Sequence, residues 1–222
     1  MKARFEIVFS MAAFGTIAVF VRNIGLPSGE VALYRAVIAA LALFLWQLCT
    51  RQTVRWQDVK KELPLLFVSG AAMSVNWILL FEAYKYTTVA MATLSYYFAP
   101  VIVTVASTVL FREGLTAKQI SCFVISTLGL VMVIGVSGGG GSHDLLGILL
   151  GLGAAVFYAA VVLINKGIWR VSGLNRTFMQ FLAAILVMTP YISMTGGSHL
   201  AGLDMTGAVN LMVVGVFHTG IC

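Results

Sequence analysis

The sequence contains little charge. Only 10% of its 222 residues are Asp, Glu, Lys or Arg, whereas 60% are hydrophobic, and a soluble domain is typically about one quarter charged. So few charges cannot cover a globular surface in water. The composition therefore excludes an ordinary soluble enzyme or binding domain, and the repeated long apolar runs predict an all-α, polytopic membrane protein.

Cysteine is also scarce. Cys49, Cys122 and Cys222 stand alone in or beside apolar runs, without a CxxC pair or a metal-ligand spacing. We interpret them as small hydrophobic residues rather than as a disulfide framework or a metal centre. We expect no catalytic residue, no cofactor and no metal ion. The glycine run at 138–141 lacks the Gly-Lys-Ser/Thr ending of a phosphate loop.

Eight apolar segments follow one another along the chain, and the last one is short. A helix rises 1.5 Å per residue, so this segment would be about 24 Å long against a hydrocarbon core of about 30 Å. We therefore expect the chain to be a fragment that ends within a membrane helix. The predicted spans are 4–22, 29–48, 64–85, 88–111, 118–137, 145–167, 175–195 and 207–222.

The basic residues are distributed unevenly between the two ends of these segments. One side of the membrane holds eleven of the fourteen Lys and Arg residues, the other side holds only Arg22 and Lys85, and Arg35 lies within a span. Cytoplasmic loops carry such an excess. The pattern predicts a multi-pass protein of the cytoplasmic membrane with a cytoplasmic N-terminus. The net charge of +6 is thus a topology signal and does not indicate nucleic-acid binding.

The chain resembles itself at an offset of about 144 residues. The stretch SMAAFGTIAVFVRN resembles LGAAVFYAAVVLINK, with Phe14 opposite Phe157, and LLFVSGAAMS resembles NLMVVGVFHT, with Gly70 opposite Gly215. The first segment thus matches the sixth and the third matches the eighth, which defines a repeat of five helices. Because five is odd, the second copy enters the membrane upside down, as in many secondary transporters.

This repeat predicts the domain organisation. Two copies of a five-helix unit require ten helices, of which the chain supplies about eight. We predict a helical bundle of inverted repeats, with a first repeat at 1–137, a Gly-rich linker at 138–144 and an incomplete second repeat at 145–222.

The stretch FEAYKYTTVAMATLSYYFAPVIVTVASTVLFREGLTAKQISCFVISTLGLVMV resembles the EamA-type repeat of the drug/metabolite transporter superfamily. The chain departs from that pattern at Arg112, where glycine is common, and at Glu82, where the pattern is apolar. The resemblance implies ten helices, a central cavity, alternating access, and the transport of amino acids, other metabolites or drugs. The matching residues are Ala83, Tyr84, Thr87, Thr88, Ala90, Ala92, Pro100, Glu113, Leu115, Gln119 and Gly129, together with VFHTGI near the end.

Polar and aromatic residues inside the predicted spans are the candidates for substrate binding. A charged or amide side chain in the hydrocarbon core costs free energy on insertion. Such a residue is therefore first considered as part of a functional site. Pro100 removes the hydrogen bond to the Tyr96 carbonyl and should kink the fourth span, which favours a cavity wall. Arg35 would bind a carboxylate or phosphate, and His218 could carry a proton. The full set is Arg35, Asn76, Trp77, Tyr96, Tyr97, Pro100, Tyr158, Asn165 and His218.

Each candidate also has a structural explanation. Arg35 could pair with Glu30, and Asn76 could bond only to a neighbouring helix. We predict four structural features. The first is an interfacial ion pair between Glu82 and Lys85, for which a gate or a proton site is the alternative. The others are a capping box of Thr116 and Gln119, a tie between helix ends at Glu113, and a close-packing stripe of Gly147, Gly151, Ala155 and Ala159.

We expect a secondary transporter that exports small metabolites, such as amino acids or related solutes, or drugs. Its partners would be a small-molecule solute and the lipid bilayer, with homo-oligomerisation left open. The alternatives are a non-transporting scaffold or receptor, and an intramembrane enzyme, for which GVSG at 135–138 with His218 is the suggestive pattern.

Overall fold

Within the part of the chain that the structure describes, all regular secondary structure is helical. The structure is a computed structural model, and it describes residues 13, 15–51, 56–111, 114–136, 142–196 and 198–221. A 3-10 turn, Leu200–Gly202, precedes the last helix. The helices are α1 (15–22), α2 (Ser28–Thr50), α3 (Trp56–Tyr86), α4 (Val89–Tyr96), α5 (Ala99–Phe111), α6 (Ala117–Val136), α7 (Ser142–Gly167), α8 (Gly173–Met194) and α9 (Met205–Val213), which continues as a π-helical segment, Val214–Ile221.

Among the described residues, five stretches of helix are long and apolar enough to cross a membrane. A shorter apolar stretch, Met205–Thr219, follows them. The prediction of an all-α, multi-pass membrane protein is confirmed. The five stretches are Ser28–Thr50, Trp56–Tyr86, Val89–Leu110, His143–Gly167 and Gly173–Met194.

Several helix ends have a specific cause in the sequence. Thr88 caps α4 by accepting a hydrogen bond from the Met91 N–H at 3.2 Å, and Asp204 caps α9 through Gly207. Each cap satisfies a backbone donor that the helix itself leaves unpaired. The predicted capping box of α6 is confirmed, because Gln119 Oε1 accepts from the Thr116 N–H at 2.8 Å while Thr116 Oγ1 accepts from the Gln119 N–H.

The fourth predicted span is interrupted in its middle. Helix α4 ends at Tyr96, a turn follows, and α5 begins at Ala99. At the turn, the Phe98 N–H donates to the Ser95 carbonyl, three residues earlier. Pro100 occupies the first turn of α5, where proline is tolerated because the donor that it lacks would have no partner within the helix. The break therefore lies next to the proline that predicted a kink.

Some predicted features lie outside the described residues. These are the beginning of the first span up to residue 12, the helix tie at Glu113, Ser137 of the GVSG pattern, and the linker residues 138–141.

The described chain divides into two compact units, and the first contains residues 1–74 and 168–222. In this unit α2 lies antiparallel to α8. The Phe44 and Phe178 rings stack with centroids 6.3 Å apart, and Gln47 Nε2 donates to Asn175 Oδ1 at 3.3 Å. At the opposite end, Gly29 packs against Tyr191. The first unit is thus organised around this helix pair.

Two glycines of the first unit mark close helix contacts. A Cβ atom on Gly70 of α3 would lie 2.6 Å from Cβ of Ala183 of α8. A Cβ atom on Gly215 of the π-helical segment would lie 2.6 Å from Cγ2 of Ile38 of α2. Such distances leave no room for a side chain, so only glycine fits at both positions.

The second unit contains residues 75–167, and its helix α7 packs against α4 and α5. A Cβ atom on Gly147 would lie 2.5 Å from Cγ2 of Thr87, and one on Gly151 would lie 3.0 Å from the Ala92 carbonyl oxygen. Ala155 and Ala159 continue the same face and are buried. The predicted small-residue stripe is therefore confirmed as a close-packing surface.

Candidate functional site

Arg35 is the charged residue most deeply placed in a predicted span, and the structure buries it. Its side chain is in α2 and is only 3% exposed. Arg35 Nε donates a hydrogen bond of 3.0 Å to Oγ1 of Thr219 in the π-helical segment. Thr219 Oγ1 donates in turn to the Val214 carbonyl at 2.8 Å. The guanidinium is therefore held by a hydroxyl that is itself fixed to the helix backbone.

His218 lies next to Thr219 and is also buried. Its Nε2 is 3.0 Å from Oγ1 of Thr16 in α1, and its Nδ1 is 3.4 Å from the Val213 carbonyl oxygen. The Phe20 ring is 5.3 Å from the imidazole, centroid to centroid. These contacts join α1, α2 and the π-helical segment through a short row of polar side chains, which we call the polar cluster: Thr16, Arg35, His218 and Thr219.

His218 and Thr219 lie in the π-helical segment and contact different helices, α1 and α2. Residues Val214–Ile221 form a π-helix, and the side chains of Thr219 and His218 likewise bond to carbonyl groups five residues earlier. Such helices are rare and occur frequently at functional sites.

A second set of polar contacts ties the N-terminal end of α2 to the loop before α9. Glu30 is 2% exposed; its Oε1 is 2.6 Å from Nδ1 of His199, and its Oε2 accepts from the His199 N–H at 2.9 Å. One turn further along α2, Tyr34 shares a hydrogen bond of 2.5 Å with Ser198. Glu30 thus binds His199, and Arg35 binds Thr219.

Three tyrosines that were predicted to bind substrate lie close together in the second unit. The rings of Tyr96 and Tyr158 meet edge to face with centroids 5.6 Å apart, and the Tyr97 ring lies 6.3 Å from that of Tyr96. Tyr97 and Tyr158 remain 45% and 40% exposed, and Pro100 is exposed beside them. The break between α4 and α5 therefore presents an aromatic surface with three hydroxyl groups.

Asn76 and Trp77 of α3 are both buried in the structure. Asn76 Nδ2 donates a hydrogen bond of 2.6 Å to the Ala154 carbonyl oxygen of α7. This contact matches the structural explanation, in which the amide ties two helices together. Asn165 is half-buried, two residues before the end of α7.

Several buried polar residues were missed by the sequence analysis. Gln180 Nε2 donates to Ser69 Oγ at 2.6 Å between α8 and α3. Glu62 Oε1 accepts from the Arg170 N–H at 3.1 Å, and Glu62 is only 5% exposed. A glutamine within an apolar run was the available signal for Gln180, whereas Glu62 lies in a charged stretch that gives no such signal.

The chain matches the EamA-like transporter family over residues 2–135. An uncharacterized transporter, YxxF, of Bacillus subtilis (strain 168) is 30% identical over 220 residues, which are 97% of this chain and 69% of that protein. An uncharacterized transporter of Archaeoglobus fulgidus is 28% identical over 196 residues, 86% of this chain and 66% of that protein. The chain spans about two thirds of the length of both relatives.

A solved structure described as "Crystal structure of protein" has the same fold. The TM-score is 0.71 over 96% of this chain and 73% of that chain. The sequences are only 17% identical, so this likeness concerns the fold alone.

The apolar helices and the polar residues buried among them define a multi-pass membrane protein. The chain belongs to the EamA-like transporter family, a family of membrane transporters.

Proposed function

We propose that the protein is a secondary transporter of the cytoplasmic membrane that exports small metabolites, such as amino acids or related solutes, or drugs. The observation that carries this proposal is the buried hydrogen bond from Arg35 to Thr219 beside His218. An arginine within a span is costly to insert, by up to about 2.5–3.5 kcal/mol at the centre, and Arg35 is the eighth of the 23 residues of α2. A guanidinium binds a carboxylate through two parallel hydrogen bonds, so the polar cluster favours solutes that carry a carboxylate.

Alternating access would require two repeats related by an approximate two-fold axis in the membrane plane. Two glycine contacts support this relation. Gly215 lies 145 residues after Gly70, and Ala183 lies 145 residues after Ile38. The contact of Gly70 with Ala183 and the contact of Gly215 with Ile38 are therefore equivalent under exchange of the repeats.

A pair of hydrogen bonds is similar but not equivalent, because Ser74 and not Ser69 lies 145 residues before Thr219. Gln180 lies 145 residues after Arg35. Arg35 donates to a hydroxyl in the eighth predicted segment, at Thr219, and Gln180 donates to a hydroxyl in the third, at Ser69. Each bond thus joins the second helix of one predicted repeat to the third helix of the other. The second copy thus has an uncharged amide where the first has a guanidinium, which favours Arg35 as the specific binding residue.

In the second unit, we propose that Tyr96, Tyr97 and Tyr158 form an apolar wall with hydroxyl groups for the solute. Their partial exposure and the break before Pro100 support this role, because irregular backbone at membrane depth is tolerated where it lines a cavity or is buried in protein. Asn76, Trp77 and Asn165 remain proposed wall residues.

The proposal is tested by solute flux in proteoliposomes. We would load the vesicles with a panel of radiolabelled amino acids and compare the wild type with Arg35→Ala, Arg35→Lys and Tyr96→Ala. We expect wild-type flux of carboxylate solutes, a loss of at least tenfold in Arg35→Ala, and partial flux in Arg35→Lys because the charge remains but the planar fork does not.

Arg170→Ala is a matched control, because the Arg170 side chain is exposed and stacks 4.5 Å from the Trp169 ring. This variant should keep wild-type flux. Flux that survives Arg35→Ala and Tyr96→Ala would overturn the binding-site assignment while leaving the transporter in place. Absence of flux for every solute in the wild type would count against transport by this chain.

A further inference from the structure

A cavity of about 510 Å³ lies between α5 and α6 in the second unit. Pro100 and Ser126 line one end of it, and Lys118 in the first turn of α6 lines the other. The lining is mainly apolar, with Val105 and Phe123 among its walls. The cavity is therefore an apolar groove with the positively charged side chain of Lys118 at one end.

This cavity lies beside a helix with an exposed apolar surface. Helix α6 exposes large apolar side chains along its length, including Ile125, Leu128 and Met132, which are 68%, 57% and 66% exposed. Val105 of α5 and Ile120 of α6, at the cavity itself, are also exposed. Such side chains suit contact with lipid, so a lipid is the occupant that fits the lining of this cavity.

The length of the cavity and the charge of Lys118 indicate which kind of lipid fits it. Lys118 and Ser126 are eight residues apart on one helix, which corresponds to about 12 Å along the axis, close to the roughly 15 Å that one leaflet contributes to the hydrocarbon core. Lys118 therefore lies near the level of the headgroups while Ser126 lies near the midplane. The first turn of α6 contains no acidic residue, so its positive end reinforces the lysine.

Gln119 adds a donor at the same end. Its Oε1 is occupied by the N–H and the hydroxyl of Thr116, at 2.8 and 2.9 Å. This cap fixes the side chain and leaves the amide Nε2 as the group that Gln119 offers to a ligand. Lysine and amide N–H groups both donate to phosphate oxygens.

We propose that the groove between α5 and α6 binds one anionic phospholipid, with its phosphate at Lys118 and Gln119 and an acyl chain lying along the cavity towards Pro100 and Ser126. Basic pockets between membrane helices bind anionic headgroups in this way. The site shares Pro100 with the candidate solute-binding residues, but it uses neither the polar cluster nor the tyrosines, so its test does not depend on solute binding.

Two native cysteines provide the test. Cys122 lines the cavity and is exposed, and Cys49 near the end of α2 is exposed in the other unit. In a Cys222→Ser background, we would prepare one protein with Cys49→Ser and another with Cys122→Ser. Each would be placed in nanodiscs of phosphatidylcholine with increasing phosphatidylglycerol, and alkylation by the uncharged reagent N-ethylmaleimide would be timed.

We expect phosphatidylglycerol to slow alkylation of Cys122 at least fivefold and to leave Cys49 unchanged. Lys118→Glu should abolish the protection, whereas Lys60→Glu, which changes an exposed lysine of α3, should preserve it. Inorganic phosphate added to phosphatidylcholine nanodiscs should protect neither cysteine, because the acyl chain fills the groove.

Equal rates in the two lipids, or protection that persists in Lys118→Glu, would overturn the proposal. Native mass spectrometry of the delipidated protein gives a second measurement. It should show one retained phosphatidylglycerol that Lys118→Glu loses and Lys60→Glu keeps. A wild-type protein that retains no phosphatidylglycerol under these conditions would equally contradict the site.

Discussion

Ile38 and Gly215 touch so closely that a methyl group has no place between them. A Cβ atom on Gly215 would lie 2.6 Å from Cγ2 and 2.7 Å from Cβ of Ile38. Gly70 makes the corresponding contact with α8, where a Cβ atom would lie 2.5 Å from the Gln180 carbonyl oxygen. Backbone and β-branched neighbours cannot move aside cheaply, so both contacts demand a residue without a side chain.

We predict that Gly70→Ala and Gly215→Ala each destabilise the protein. Overpacking a close contact costs about 1–3 kcal/mol, and a chain of this size loses about 2–4 °C in melting temperature for each kcal/mol. We expect apparent melting temperatures in detergent to fall by several degrees in both variants. Gly129→Ala is the matched control, since a Cβ atom on this glycine of α6 meets nothing within 4 Å. A loss in Gly129→Ala as large as in the other two would contradict this explanation.

We predict that Asn76→Ala weakens the packing of the second unit. The variant removes a donor 2.6 Å from the Ala154 carbonyl, and hydrogen bonds between membrane helices average about 0.6 kcal/mol with a maximum of about 1.7. Thermal unfolding should show a correspondingly small loss. Asn23→Ala serves as a control, because the exposed Asn23 amide, directly after α1, makes a similar bond of 2.9 Å to the Val19 carbonyl of that helix. An equal loss in Asn23→Ala would show that burial between helices is not the cause.

We predict that the N-terminus of the protein is cytoplasmic. In a chain with all three cysteines replaced by serine, His143→Cys should react with a membrane-impermeant maleimide in intact cells, because α7 would begin on the outer side. Lys60→Cys should react only after the cells are opened. Both positions are exposed, so accessibility across the membrane decides the result. Labelling of Lys60→Cys in intact cells would show that the protein has the opposite orientation, with its N-terminus outside.

Local features of the fold followed from the sequence because they depend on residues close together in the chain. Glu82 and Lys85 form the expected ion pair at 3.0 Å, one turn apart on the same helix face. The start of α3, by contrast, was not predicted. Hydropathy placed the third span at 64–85, but the helix begins at Trp56. Hydropathy reports the part of a helix that suits hydrocarbon, whereas Asp58 and the following lysines favour helix outside it.

The partners of the candidate residues could not be predicted in the same way. Glu30 binds His199, 169 residues away, and Arg35 binds Thr219, 184 residues away. The periodicity of α2 shows which side is apolar, but it does not show which helix covers that side. The π-helical hydrogen bonding that positions Thr219 also has no known local signal in this stretch. The roles of the nine candidate residues in solute binding therefore stay predictions.

The π-helical segment also determines which genetic changes this region can accept. A π-helical turn holds more residues than an α-helical turn, so Val214–Ile221 behaves as a helix with an inserted residue. Deletion of one residue there would restore α-helical bonding and disturb the side-chain hydrogen bonds of His218 and Thr219 to carbonyls five residues earlier. The geometry of the polar cluster thus depends on the number of residues in this segment as well as on its side chains. We expect natural variants to differ there by substitution rather than by length.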